Sequence, residues 1–313
     1  MVFYKTPEGN FGNRVGDWSD IIDLDYNQKE LWDYQIETLK QWVKRGIDGF
    51  RCDVAPLVPL KFWLRAREEL DSVKEDLIWL AESVHPEFIR HLRSRGMVAL
   101  SDSEVYQAFD MTYDYDVEDH RQAYLENRID LTAYIERLQV QDYTYPWNYI
   151  KLRNLENHDH LRFITKVQTE SELYQWTAFN YMQLGASLIY NGQEVQSNHT
   201  PSLFDKDTIN WNTQTNMSKY LSKLAQIKKE ILPTKVLYSL EAINDKDKVD
   251  VRYEHNQQEF IGVFNLKENK GELDVNITDG TYKNMINDQE FSIDNGTMNI
   301  KETPAIFQVN NFT

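Results

Sequence analysis

Cysteine is almost absent from this chain. A single residue, Cys52, among 313 excludes an internal disulfide and a cluster of thiolate metal ligands. Positive charge is also scarce: 34 Lys and Arg face 50 Asp and Glu, for a net charge of −16. Nucleic acid and anionic membrane repel such a surface, so neither is expected as a partner. No apolar run is long enough to span a bilayer. The opening Met-Val-Phe-Tyr-Lys-Thr-Pro lacks the basic start and apolar stretch of a secretory signal, which points to a cytoplasmic protein. Internal repeats and low-complexity tracts are missing too. What the chain does have is apolar and aromatic bulk: 41% hydrophobic residues, with 8 Trp and 18 Tyr. That is enough for one large domain and one small domain around a sizeable core.

The most informative stretch is Gly46-Ile-Asp-Gly-Phe-Arg-Cys-Asp-Val-Ala55. A helical pattern stops at Gly46, and the short run Gly49–Ala55, closed by Pro56, suits a buried strand. Arg51 and Asp53 are two apart and so share a strand face, where the Arg supplies the partner a buried carboxylate requires. Taken alone, a structural ion pair and a functional carboxylate are equal readings. Cys52 alternates to the other face and is expected to pack in the core rather than act as a nucleophile. Two later stretches favour function. Leu77–Val84 is another short apolar run and delivers Glu82; Ile150–His160 delivers His158 and Asp159. Three acids thus follow three short strands, with helical periodicity between them. In a parallel barrel the C-terminal ends of the strands converge on one face, and catalytic groups come from several of them. A carboxylate pair on such a face is what glycosidic bond cleavage uses.

At these residues the chain resembles the α-amylase family of glycoside hydrolases. Gly49-Phe-Arg-Cys-Asp53, Ala81-Glu82 and Asn157-His-Asp159 are similar to the second, third and fourth signature regions, in the family's order. The resemblance implies a partial (β/α)8 barrel, about strands 4–8, followed by an all-β C-terminal sandwich. It divides the chain into residues 1–28, a remnant of the family's inserted loop domain carrying Asp17-Trp-Ser-Asp20; 29–232, the partial barrel; and 233–313, the β domain. The periodicities agree. Helices are predicted over 29–45, with Asn27 as cap, and over 60–72, 86–95, 117–142, 171–184 and 216–230. Barrel strands are predicted over 49–55, 77–81, 108–111, 149–155 and 185–190. Past Pro233 the pattern turns to short alternating runs at 247–253, 259–264, 271–275 and 305–309. The family's first three strands and first signature region have no counterpart, so the chain reads as N-terminally truncated, with uncovered edges that favour self-association.

The resemblance also implies the chemistry. Asp53 is the nucleophile, Glu82 the general acid and base, and Asp159 the stabiliser of an oxocarbenium-like transition state. Arg51 keeps Asp53 ionised, and His158 hydrogen-bonds the sugar. Retention of configuration requires the Asp53 and Glu82 carboxyls to lie roughly 5–5.5 Å apart. The implied substrate is an α-1,4-glucan, starch or maltooligosaccharide; the signature regions do not separate hydrolysis from transglycosylation or from sucrose and trehalose chemistry. Many relatives place a Lys for sugar contact and then a His whose backbone carbonyl binds calcium where Pro56 and Leu57 stand here, and the Asn ligand of the first region is missing, so no metal site is expected. Other acids, Glu104, Asp110, Asp114, Asp116 and Glu194, are read as structural, and substrate contact is left open for Asp205 and Asp207. The competing readings are a catalytically incompetent fragment and a non-catalytic relative that binds carbohydrate or protein.

Overall fold

A computed structural model describes residues 2–15, 18, 21–231, 237–243, 247–255, 258–267, 271–299 and 303–310. Asp17, Ser19 and Asp20 of the loop motif, and Pro233 at the expected domain boundary, lie outside the described residues. The chain forms two compact units, Met1–Asp116 with Tyr145–Tyr149, and Val117–Thr144 with Ile150–Thr313.

The first unit runs α1 (Lys29–Lys44), β1 (Gly49–Cys52), a 3-10 turn (Ala55–Leu57), α2 (Leu60–Asp71), β2 (Ile78–Ala81), α3 (Pro86–Ser94), α4 (Asp102–Val105) and β3 (Met111–Tyr113). Helix α1 buries Leu31, Trp32, Ile36 and Val43 on one face, the spacing of an amphipathic helix. It stops where Gly46 takes φ +97°, a conformation that costs glycine little. Its cap is Gln28 rather than Asn27, which hydrogen-bonds Asp25 instead. Strands β1, β2 and β3 pair in parallel. Over them lies an aromatic core in which Phe62 meets Trp32 and Trp63 edge-on, and Phe109 does the same with Trp63 and Trp79. Strand β1 is shorter than its sequence suggests. It ends at Cys52 because Val54 adopts a left-handed backbone, φ 38°, and turns the chain into the 3-10 segment. The third strand also starts later than expected, at Met111, because Asp110 is drawn off to Arg67 (2.6 Å) and to the Trp79 amide (2.9 Å).

The second unit begins with α5 (Glu118–Leu125) and α6 (Leu131–Thr144). The single helix expected over 117–142 is two, broken where Asn127 turns to φ 58°. Then come β4 (Lys151–Arg153), α7 (Glu170–Met182), β5 (Ala186–Ser187) and α8 (Ser218–Ile231). Strands β4 and β5 pair in parallel, and β5 is shorter than the expected 185–190. Helix α7, capped by Thr169 on the Glu172 amide (3.1 Å), is buried on nearly every side, as a central helix must be when both flanks are covered.

The remaining strands are β6 (Leu237–Ile243), β7 (Lys248–His255), β8 (Gln258–Asn265), β9 (Glu272–Asp274), β10 (Gly280–Lys283), β11 (Glu290–Asp294), β12 (Thr297–Asn299) and β13 (Ala305–Asn310). They form two antiparallel sheets, ordered β13-β8-β7-β6 and β10-β11-β12-β9. Ile261, Val263 and Phe307 of the first pack with Leu273, Ile293 and Met298 of the second. This is the sandwich foreseen from the alternating runs. Its β7–β8 sheet also seats on α7: Trp176 Nε1 donates to the Leu266 carbonyl (3.2 Å) and the Tyr253 hydroxyl to that of Met182 (2.8 Å).

Strand β1 approaches β2 so closely that a Cβ on Gly49 would lie 2.1 Å from the Ile78 carbonyl oxygen. Gly49→Ala is therefore expected to destabilise the protein by about 1–3 kcal/mol, the usual range for overpacking. A urea midpoint equal to that of the parent would show that the strands separate freely.

Candidate active site

In the first unit, the β1–β2 register pairs Arg51 with Leu80 and Cys52 with Ala81. The Glu82 amide then donates to the Cys52 carbonyl (3.0 Å), which carries the pairing one step past the strands and sets Glu82 beside Asp53. Asp53 is not on the strand face expected for it, because the strand has already ended. Arg51 compensates: one guanidinium nitrogen, Nη1, donates to Asp53 Oδ1 and the other, Nη2, to Glu82 Oε1. Its Nε reaches the Tyr113 hydroxyl on β3 (3.3 Å). Burial works against the Arg51 charge, but Tyr113, Glu82 and Asp53 outweigh it and hold the guanidinium more firmly protonated than usual.

The two carboxylates differ in setting. The Asp53 side chain is 75% exposed, while that of Glu82 is 10% exposed. The second oxygen of Glu82 accepts from the Val54 amide (2.7 Å), so the left-handed turn at Val54 serves the site directly. An open carboxylate can meet an electrophilic carbon, and a buried carboxyl beside it can exchange a proton with a departing oxygen or an incoming water. Cys52, the residue before Asp53, is buried, and burial pushes its thiol up to about 12. It is a core residue, as its alternation indicated.

The second unit carries His158 and Asp159 after β4. The Asn157 side chain accepts from the Asp159 amide (2.9 Å), and His158 Nε2 lies 3.4 Å from Asp159 Oδ1. Five sequence-predicted residues are thus gathered into two sets, Arg51, Asp53 and Glu82 in one unit and His158 and Asp159 in the other. Glu104 closes a capping box with Ser101, and Glu194 accepts from the Gly192 amide (2.8 Å), both structural. Asp207 accepts from His199 (2.8 Å) and the Ser202 amide (2.9 Å) on an exposed loop.

Sequence reasoning missed three contributors. The backbone of Val54 and the hydroxyl of Tyr113 gave no local signal, since one acts through a turn and the other from a strand 62 residues away. The third is a buried pair, Glu156 and Arg162 (2.8 Å), flanking His158 and Asp159. An acid and a base on either side of the Asn-His-Asp triplet were legible, but their burial was not. The Pro56 carbonyl accepts from the Leu100 amide (2.8 Å). Leu57, Val58, Met97 and Val98 line the adjoining cavity together with Asp23 and Asp53.

Comparison with known proteins gives this geometry its family. Residues 15–232 match the alpha amylase catalytic domain and residues 239–307 the bacterial alpha amylase C-terminal domain. The chain belongs to the α-amylase family, with the partial (β/α)8 barrel and C-terminal β domain which that membership implies. It is 40% identical to an alpha-amylase from Lactobacillus plantarum, with TM-score 0.93 over 98% of this chain and 72% of that one. A noncanonic maltogenic alpha-amylase from Thermotoga neapolitana is 30% identical, with TM-score 0.85 over 99% of this chain and 72% of the other. The maltogenic alpha-amylase of Bacillus acidopullulyticus is 24% identical over 310 residues, 94% of this chain and 50% of that protein. The chain thus spans about half the length, or less, of the curated relatives it matches.

Because burial pushes the Cys52 thiol up to about 12, native protein at pH 8 is expected to react with iodoacetamide about two to three orders of magnitude more slowly than a free thiol. Denatured protein should label at the free rate. Rapid native labelling would mean that β1 is not packed as described.

Proposed function

We propose that this chain is a retaining α-glycoside hydrolase acting on α-1,4 links of starch or maltooligosaccharides. The observation that supports it most is Arg51 bonded at once to an exposed Asp53 and a buried Glu82. The relatives' names, alpha-amylase and maltogenic amylase, supply the substrate class.

In the proposed reaction, an Asp53 oxygen attacks the anomeric carbon. The bond from that carbon to the glycosidic oxygen breaks, and Glu82 gives its proton to the departing oxygen. Glu82, now a carboxylate, takes a proton from water. The water oxygen bonds to the anomeric carbon, the Asp53–sugar bond breaks, and configuration is retained. Arg51 keeps Asp53 aimed through its hydrogen bond to Oδ1. Asp159 stabilises the charge that develops on the ring, and His158 donates a hydrogen bond to a sugar hydroxyl. No step requires a metal. The glucan is neutral, so the acidic chain needs no charge complementarity with it. We also place the protein in the cytoplasm, a reading supported by the relative named an intracellular maltogenic amylase in Bacillus subtilis.

In a second reading the chain binds glucan without cleaving it or self-associates. Reducing-sugar release from maltotriose separates the two. Activity in the parent that falls about 10³-fold or more in Asp53→Asn supports the hydrolase; equal rates for parent and variant overturn it. Glu82→Gln should lose far less on 4-nitrophenyl α-maltoside, whose leaving group needs no proton, than on maltotriose. Equal losses on the two substrates would remove Glu82 from the acid role.

A further inference from the structure

The loop that carries His158 and Asp159 is closed at its base by a buried ion pair. Arg162 has no exposed side-chain surface, and Glu156 has 3%. Arg162 Nη1 donates to Glu156 Oε1 (2.8 Å), and the other Glu156 oxygen accepts from the Phe163 amide (2.6 Å). The two ends of the 156–162 segment are therefore fastened to each other, and residues 157–161 have lost the freedom of an open loop.

The same guanidinium reaches a second loop, the one that follows β5. Its Nε donates to the His199 carbonyl (2.8 Å) and its Nη2 to the Asn191 carbonyl (2.9 Å). The Tyr190 ring lies 4.5 Å from its central carbon. That loop is shaped around the guanidinium. Gly192 takes φ +91°, and a Cβ there would sit 3.1 Å from Arg162 Nη2 and 3.0 Å from Ile209. The loop closes on itself through the Ser197 amide to the Gly192 carbonyl (3.0 Å), and Glu194 ties it to the start of α8 by accepting from the Met217 amide (2.7 Å). Three separate attachments thus use three different nitrogens of one planar group, an arrangement that an ammonium cannot reproduce.

We infer that Arg162 is a positioning residue: with Glu156 it locks the His158–Asp159 loop to the 190–200 loop and thereby fixes Asp159 for transition-state stabilisation. This rests on the catalytic reading above, in which Asp159 acts only as charge develops. An Asp159 displaced by a fraction of an ångström still permits substrate binding but stabilises the transition state less well.

The test compares the parent, Arg162→Lys and Glu156→Gln by steady-state kinetics on maltotriose and by hydrogen exchange of peptides covering 157–161 and 190–200. Arg162→Lys keeps a cation for Glu156 but gives up the fork. The expected result is faster exchange in both loops together, with other segments unchanged, and kcat lower by about 10- to 100-fold at an unchanged KM. Glu156→Gln keeps every Arg162 donor and should loosen 157–161 more than 190–200; it carries the test if Arg162→Lys does not fold. Unchanged exchange, loosening spread over the whole chain, or loosened loops with an unchanged kcat would each overturn the inference. If the parent releases no sugar, the hydrolase reading fails by itself. Exchange then decides the lock: joint loosening of the two loops upholds it, and any other pattern sinks it.

Discussion

One guanidinium shared between two carboxylates governs the first unit. A carboxylate as buried as Glu82 is costly unless its lone pairs are filled, and the cost is offset only when the partners are well aimed. Arg51 and the Val54 amide fill them, one to each oxygen. Both donors depend on features that look incidental in isolation. Arg51 reaches Glu82 because β1 and β2 are parallel and pair in a register that Gly49 permits. The Val54 amide faces Glu82 because the chain leaves the strand through a left-handed residue, a conformation that is strained for a β-branched side chain. That strain is tolerated where it supplies a hydrogen bond to a buried carboxyl oxygen.

The second unit solves a related problem with cations and carbonyls. Arg153 donates to the Leu184 carbonyl (2.8 Å), and Lys228 to those of Tyr181 (2.7 Å) and Gln183 (2.8 Å). The end of α7 and the turn into β5 are thus held by a buried arginine and a half-buried lysine. Burial, reinforced by the Arg153 charge, pulls the Lys228 ammonium down to about 7. A helix C-terminus presents unpaired carbonyls and the negative end of its dipole, so cations belong there. Arg162 plays the same part for the 190–200 loop. Positive groups are few in this sequence, and several are spent inside it on carbonyl oxygens rather than outside it on solvent.

How much of this could be read beforehand follows from where each signal lies. Acids at strand ends are local: Asp53, Glu82 and Asp159 each follow a short apolar run, and their order identified the family. Strand–helix alternation and the change of pattern past residue 233 are also local, and they gave the fold class. The misreadings have a common cause. The strand through Asp53, the helix over 117–142 and the strand at 108–111 differ from the periodic pattern because a turn in the left-handed region, at Val54 or Asn127, or a side chain borrowed by a distant arginine, as Asp110 is by Arg67, leaves no periodic trace. The Arg51–Asp53 pairing was anticipated, but for a reason the structure replaces: the two meet across a turn and not along a strand face.

The C-terminal sandwich takes part in this architecture. Phe163, the residue after Arg162, packs edge-on against Trp176 of α7 (5.5 Å between ring centres). The indole of Trp176 is in turn fixed to the Leu266 carbonyl, and the Gln175 side chain beside it accepts from the Asn265 amide (3.0 Å). Helix α7 is apolar on both flanks because it is core for the βα layer and for the β7–β8 sheet together. Without the sheet it would expose Trp176, Phe179 and Met182, a surface that water does not tolerate on an isolated helix. The fold around the His158–Asp159 loop therefore relies on strands that begin more than 70 residues later. In packing terms the β domain is the far wall of the same core, even though the sequence marks it off as a separate pattern.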